Sequence, residues 1–238
     1  AFEAMKPFLL EEYGNASQPY SFARSAKNAL KNARAKIAEC IGALPEEIYF
    51  TSGGTESDNW AIKGIVLSDS TPKDIITSQI EHHAILHTAK FLEQQGATVT
   101  YLPVNENGLV SIQQLKKAIT SDTVLISVMT ANNEIGTIQP IRELASISHK
   151  YGACFHTDAV QAVGHIPVDV NQLGVSLLSA SAHKFNGPKG VGFLYSRHRI
   201  PNLIDGGAQE RGSRAGTENI AAIVGMAEAL KKNCLEME

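Results

Sequence analysis

From Arg24 to Ile41 the apolar residues Ala26, Ala29, Leu30, Ala33, Ile37 and Ile41 recur three and four positions apart, and Gly42 ends the run. That spacing puts them on one face of an α-helix, with the glycine as its stop. Beyond it, short runs rich in β-branched residues alternate with further helical patterns. Strands are predicted over Ile48–Ser52, Asp74–Ile80, Thr98–Val104, Thr123–Thr130, Cys154–Thr157, Leu177–Ser181 and Val191–Tyr195. Helices are predicted over Glu56–Leu67, His83–Gln95, Ile112–Ile119 and Ile141–Tyr151. A last helical run, Ile220–Leu230, stops without a cap. Such alternation predicts an α/β domain with a mainly parallel sheet flanked by helices. No repeat, low-complexity tract or linker divides it.

Composition narrows the function classes. With 238 residues, 43% of them hydrophobic, the chain has enough apolar material for one large core. A net charge of -3 provides no general attraction to nucleic acid or anionic membranes. No apolar run approaches the roughly 20 residues of a membrane helix. The opening AFEAMKPFLLEEYGN carries acids within its apolar stretch and no basic lead, unlike a signal peptide. Cys40, Cys154 and Cys234 are few and widely spaced, which predicts a reducing, cytoplasmic setting and neither a disulfide framework nor a metal site.

In a parallel α/β sheet, ligands sit beyond the carboxyl ends of the strands. Five predicted strand ends carry polar residues: Ser52-Gly53-Gly54-Thr55-Glu56-Ser57, then Glu81-His82-His83, Asn132-Asn133-Glu134, Asp158 with Gln161, and Ser181 with His183 and Lys184. The two glycines allow close backbone approach at a helix start whose free amides suit a phosphate. Each group also has a simpler explanation. A capped turn accounts for Ser-Gly-Gly-Thr, a helix N-cap for Asp158, a satisfied structural histidine for His82, and a loop-holding amide for Asn133.

Lys184 is harder to explain that way. It follows the small apolar run of SASAHKFNGPKGVGFLY, residues 179–195, at the edge of a strand that reads as buried. A partly desolvated lysine becomes a neutral nucleophile able to form a Schiff base with a carbonyl. A phosphate cradle, a buried acid and such a lysine at neighbouring strand ends are what pyridoxal 5'-phosphate requires. The acid keeps the pyridine nitrogen protonated, a flat histidine such as His82 covers one ring face, and Asn133 bonds the phenolic oxygen. Lys189, in the Gly-Pro-Lys-Gly turn, is the rival amine, and water there keeps it protonated.

Taken in order, YGNAS, TSGGTESDN, EHHAI, NNEIG, DAVQAVG, SAHKFNGPKGVG and RAGTEN resemble the pyridoxal-phosphate-dependent cysteine desulfurases of the class V aminotransferase superfamily, and their NifS/IscS-type group in particular. The resemblance runs from Tyr13 to about Leu230. It implies the large domain of fold type I in a homodimer, with Gly54, Thr55, Ser181 and His183 on the phosphate. His82 then stacks on the ring, Asp158 pairs with the ring nitrogen, Gln161 and Asn133 reach the phenolic oxygen, and Lys184 carries the Schiff base. Thr217 of RAGTEN is implied to reach the phosphate bound by the partner subunit.

The implied reaction displaces Lys184 with L-cysteine, whose α-proton goes to the freed lysine. A mobile thiolate of the enzyme then takes the substrate sulfur as a persulfide and leaves L-alanine. The sulfur goes to an iron–sulfur scaffold or another acceptor protein. Against that family the chain, residues 1–238, lacks most of the opening segment and the small C-terminal domain, with its acceptor cysteine and carboxylate-binding arginine. By itself it is expected to hold cofactor without turning over L-cysteine. Cys40 reads as a helix-face residue, Cys154 as a strand residue and Cys234 as part of a frayed tail. A selenocysteine lyase, a small-amino-acid aminotransferase and a non-catalytic scaffold are the competing functions.

Overall fold

The computed structural model describes residues 1–68, 71 and 73–237. Its strands are β1 (Ile48–Thr51), β2 (Asp74–Ser78), β3 (Thr98–Leu102), β4 (Thr123–Ser127), β5 (Cys154–Asp158), β6 (Leu177–Ser181) and β7 (Gly192–Ser196). They form one sheet in the order β1-β7-β6-β5-β4-β2-β3. The pairs from β6 through β3 are parallel, and β7 runs against both β6 and β1. The reversal follows from chain length. Residues 182–191 are too few for a helical crossover, whereas each parallel pair is joined by longer segments.

The helices are α1 (Phe2–Leu10), α2 (Arg24–Ile41), α3 (Gly54–Val66), α4 (His83–Gln94), α5 (Ile112–Ala118), α6 (Ile141–Lys150), α7 (Val170–Leu173), α8 (Gln209–Gly212) and α9 (Ile220–Glu236). Alternate strand residues face opposite layers, as the two-residue period of a strand requires. Phe50, Ile76, Ile126, Phe155, Leu178 and Phe193 join the large core with Ile37, Leu144 and Met226 of α2, α6 and α9. Tyr49, Leu177 and Leu194 turn instead toward Trp60 of α3, and Ile75 and Leu125 toward Ile62 and Ile85 of α3 and α4. Among the described residues no helix is long and apolar enough to cross a membrane.

The predicted elements are recovered with shifted ends. Gly42 closes α2 at φ 69°, a left-handed conformation that suits glycine. The predicted strands over Asp74–Ile80, Thr98–Val104 and Thr123–Thr130 overrun the observed ones by two or three residues. α1 escapes the hydrophobic pattern because none of its residues is buried.

The predicted stop of the last helix at Leu230 is wrong. α9 continues to Glu236, and Cys234 is a half-buried residue within it. The Cys40 thiol on α2 donates a hydrogen bond to the Cys234 sulfur, which pushes the pKa of Cys40 up and that of Cys234 down. Lys231 and Lys232 hide the continuation because they face solvent, while Cys234 returns to the packed face one turn after Leu230.

Candidate active site

α3 starts directly beyond β1 at Gly53-Gly54. Gly53 is its N-cap at φ 150° and provides no side-chain acceptor, so the first-turn amides stay open to an external anion. The loop is braced from outside. Glu56 Oε2 accepts from Ser52 N at 2.8 Å, and Arg214 donates to both Glu56 oxygens at 2.8 and 3.0 Å. Burial works to raise the Glu56 carboxyl, but the Arg214 and Ser52 donors outweigh it and hold it below its ordinary value.

Four neighbouring strand ends, those of β6, β5, β4 and β2, supply residues around this helix start. Asp158 closes β5, is 4% exposed, and accepts from Val160 N at 2.9 Å through Oδ1. A Cβ on Gly54 would lie 2.7 Å from Val160 Cγ2, so the start of α3 abuts the segment that follows Asp158. Ser181 closes β6, its Oγ 3.0 Å from His183 Nδ1. The chain then makes one 3-10 turn, Ala182–Phe185, with Lys184 half-buried on it. His82 caps α4, its Nδ1 accepting from Ala84 N at 3.1 Å, which fixes the ring while leaving its other nitrogen free of that bond. Beyond β4, Asn132 accepts from Glu134 N and Ile135 N and donates to Ile80 O. It is thus Asn132 that holds this loop.

Gly54, Thr55, His82, Asn133, Asp158, Gln161, Ser181, His183 and Lys184 all line one cavity of about 250 Å³. Lys189 is exposed and lies outside it. Thr217 lies outside as well, exposed beside a second cavity with Ser52 and Arg214. His83, which reads in sequence as a satisfied structural histidine, is exposed and stacks on His87 at 5.1 Å. Asp58, Met129 and Val160 complete the wall, and sequence reasoning nominated none of them. The signal for Asp58 was present, since it stands one turn after Gly54 on the same helix face.

Electrostatics in the wall are set mainly by burial. Burial raises Asp158, opposed by the Val160 N–H and by the charges of His82 and Lys184. It lowers His183, with Lys184 and Lys189 adding to the effect. Glu81, beneath the rim, accepts from Ser78 Oγ at 2.5 Å and from Met129 N at 3.0 Å on each oxygen, yet burial pushes its carboxyl up to about 8.

A folded-state value above the unfolded 4.5 means that the folded chain holds the extra proton. Stability from this group is therefore complete below about pH 4.5 and is lost as pH rises toward 8. Glu81→Gln, close in shape and uncharged, is expected to remove that loss. Its melting midpoint at pH 8 rises above that of the native chain by about 2–4 °C for each kcal/mol recovered. A lower midpoint at pH 8 would mean that Glu81 is ionised where it stands.

A mainly parallel sheet flanked by helices, with a lysine, a buried acid and an open helix start at its strand ends, is the fold-type I arrangement of pyridoxal phosphate enzymes. Residues 1–236 match the family model described as aminotransferase class V, and the chain belongs to that family. It is 58% identical over 240 residues to cysteine desulfurase IscS of Dictyoglomus turgidum, covering all of this chain and 61% of that one. The chain thus spans about three-fifths of the length of this curated relative.

Among solved structures, one described as a NifS-like protein superposes with a TM-score of 0.96 at 43% identity, over 99% of this chain and 66% of the other. A second, described as SspA in complex with cysteine, gives 0.94 at 42% identity, over 96% and 67%. Class V enzymes of this kind depend on pyridoxal phosphate.

Proposed function

We propose that residues 1–238 form the pyridoxal-phosphate-binding large domain of a cysteine desulfurase. This enzyme converts L-cysteine to L-alanine and passes the sulfur to one of its own cysteines, for iron–sulfur cluster assembly or thiolation of another acceptor. The observation that carries this reading is the meeting of Lys184, Asp158 and the open start of α3 in one cavity. It is supported by relatives named as cysteine desulfurases.

The donor set suits the cofactor's three polar regions. The α3 amides at Gly54 and Thr55, with Ser181 and His183, would hold the phosphate. Asp158 would accept from the ring nitrogen, Gln161 and Asn133 would serve the phenolic oxygen, and His82 would contact the ring. When bound, pyridoxal phosphate supplies an electron sink that acidifies the substrate α-carbon. Lys184 then receives the α-proton at Nζ, with Asp158 fixing the charge that favours its departure. The test is to incubate the complete desulfurase with L-cysteine and measure products. Alanine and sulfane sulfur in equal amounts support the reading, and a keto acid in place of alanine contradicts it.

The sulfur acceptor lies elsewhere in the enzyme. Neither Cys40, Cys154 nor Cys234 lines the cavity, and Cys154 opens β5 while Asp158 closes it. Burial raises the Cys154 thiol, which disfavours the thiolate that sulfur transfer needs. Replacing all three by serine in the complete enzyme is expected to change alanine formation by less than about threefold, about 0.7 kcal/mol. A persulfide mapped to any of the three would overturn this assignment.

A homodimer and a cytoplasmic setting belong to the same proposal. Thr217 is exposed outside its own chain's cavity, which suits a residue serving the partner's phosphate. Sedimentation of the cofactor-loaded enzyme as a monomer at micromolar concentration would remove that role from Thr217.

A further inference from the structure

Asp58 lines the cavity yet has no part in the roles above. It is 1% exposed, on the face of α3 that packs against the sheet, and its Oδ1 has no hydrogen-bond partner among the described residues. The nearest basic group is His156, whose Nε2 is 3.7 Å from that oxygen. His156 is no counter-ion. It is fully buried on β5, between Ser127 Oγ at 2.8 Å and Ser179 Oγ at 3.0 Å, and burial lowers its value to about 3, so it is neutral. A bond from Ser179 is the favourable contact that remains to Asp58.

Beside it stands a second buried acid. Ligand-type atoms of Asp58, Asp158 and His82 lie within 4.8 Å of one another. Glu81, three residues after β2, works in the same direction wherever it is ionised. Two carboxylates that close and that dry do not both ionise. Their surroundings decide which one keeps the proton. Asp158 has the Val160 N–H and the charges of His82 and Lys184 on its side, whereas a bond from Ser179 is what favours the charged form of Asp58.

We propose that Asp58 is a positioning residue, a neutral carboxylic acid behind Asp158 that leaves Asp158 as the single anion available to a cationic ring nitrogen. The inference rests on the reading of the cavity as the pyridoxal phosphate site, but its first test does not. In the full-length protein without cofactor, the infrared difference between native and Asp58→Asn at pH 7 is expected to show the carbonyl stretch of a protonated carboxylic acid. Carboxylate bands in that difference would overturn the proposal.

The second test uses the cofactor. Asp58→Asn, uncharged like the acid it replaces, is expected to keep pyridoxal phosphate affinity within about threefold and to leave the pH profile of the visible absorption unchanged. Asp158→Asn is expected to weaken binding by about tenfold or more. Equal losses in the two variants would make Asp58 a second anion on the ring and sink the proposal. A native protein that binds no pyridoxal phosphate would instead refute the reading of the cavity, and the infrared result would stand apart from it.

Discussion

Lys184→Ala is expected to cut alanine formation from L-cysteine by at least about 10²–10⁴-fold in the complete enzyme, the range for losing a positioned proton-transfer group. The argument is one of place. Lys184 is half-buried on the turn after β6, in the wall that also holds Asp158 and the start of α3. The substitution removes an amine without filling or emptying the packed core, because Ala182 and Phe185 carry the packing of that turn. Circular dichroism of the variant is therefore expected to match the native protein. A small added amine is expected to restore part of the rate, as a merely structural lysine would not allow. Near-native turnover, or a larger loss in Lys189→Ala, would remove Lys184 from its role.

Asp158→Asn is the second large effect, and its origin is electrostatic. The side chain keeps its shape, and its oxygen still accepts from Val160 N, so the segment after β5 stays in place. What disappears is the negative charge proposed to face the ring nitrogen. Turnover is expected to fall by about 10²–10³-fold, the cost of removing one preorganised group from a charge-stabilising site. KM changes less than kcat, since the contact strengthens as charge develops. A variant with near-normal kcat would show that Asp158 serves only as the local cap of its loop.

Much of this was legible in the sequence because two independent signals agreed. Hydrophobic periodicity located the strands, and the polar residues immediately after them marked the rim of a parallel sheet. The predicted strands ran long at β2, β3 and β4 because apolarity does not stop where pairing does. Val128 and Met129, beyond β4, are buried in the turn that leads to Asn132.

Asp58 was missed for a related reason. It lies in the first turns of a helix beside Glu56 and Asn59, where an acid ordinarily faces water and favours the helix dipole. Its spacing from Gly54 marks the face it shares, but the tertiary arrangement is what shows that face turned inward against His156 and Asp158. Cys234 was misplaced because two lysines interrupt the apolar pattern of α9. Periodicity cannot distinguish a helix end from a solvent-facing turn. Thr217 illustrates the limit of a single chain, since the cavity it is proposed to serve belongs to a second copy.

The central claim is that Lys184 is the amine that holds pyridoxal phosphate in this cavity. Borohydride reduction of the cofactor-loaded protein, followed by proteolysis and mass spectrometry of the peptides, tests it directly. The predicted result is a single pyridoxyl group on the peptide containing Lys184. A pyridoxyl group on Lys189, or a fully loaded protein with no lysine modified after reduction, would contradict it.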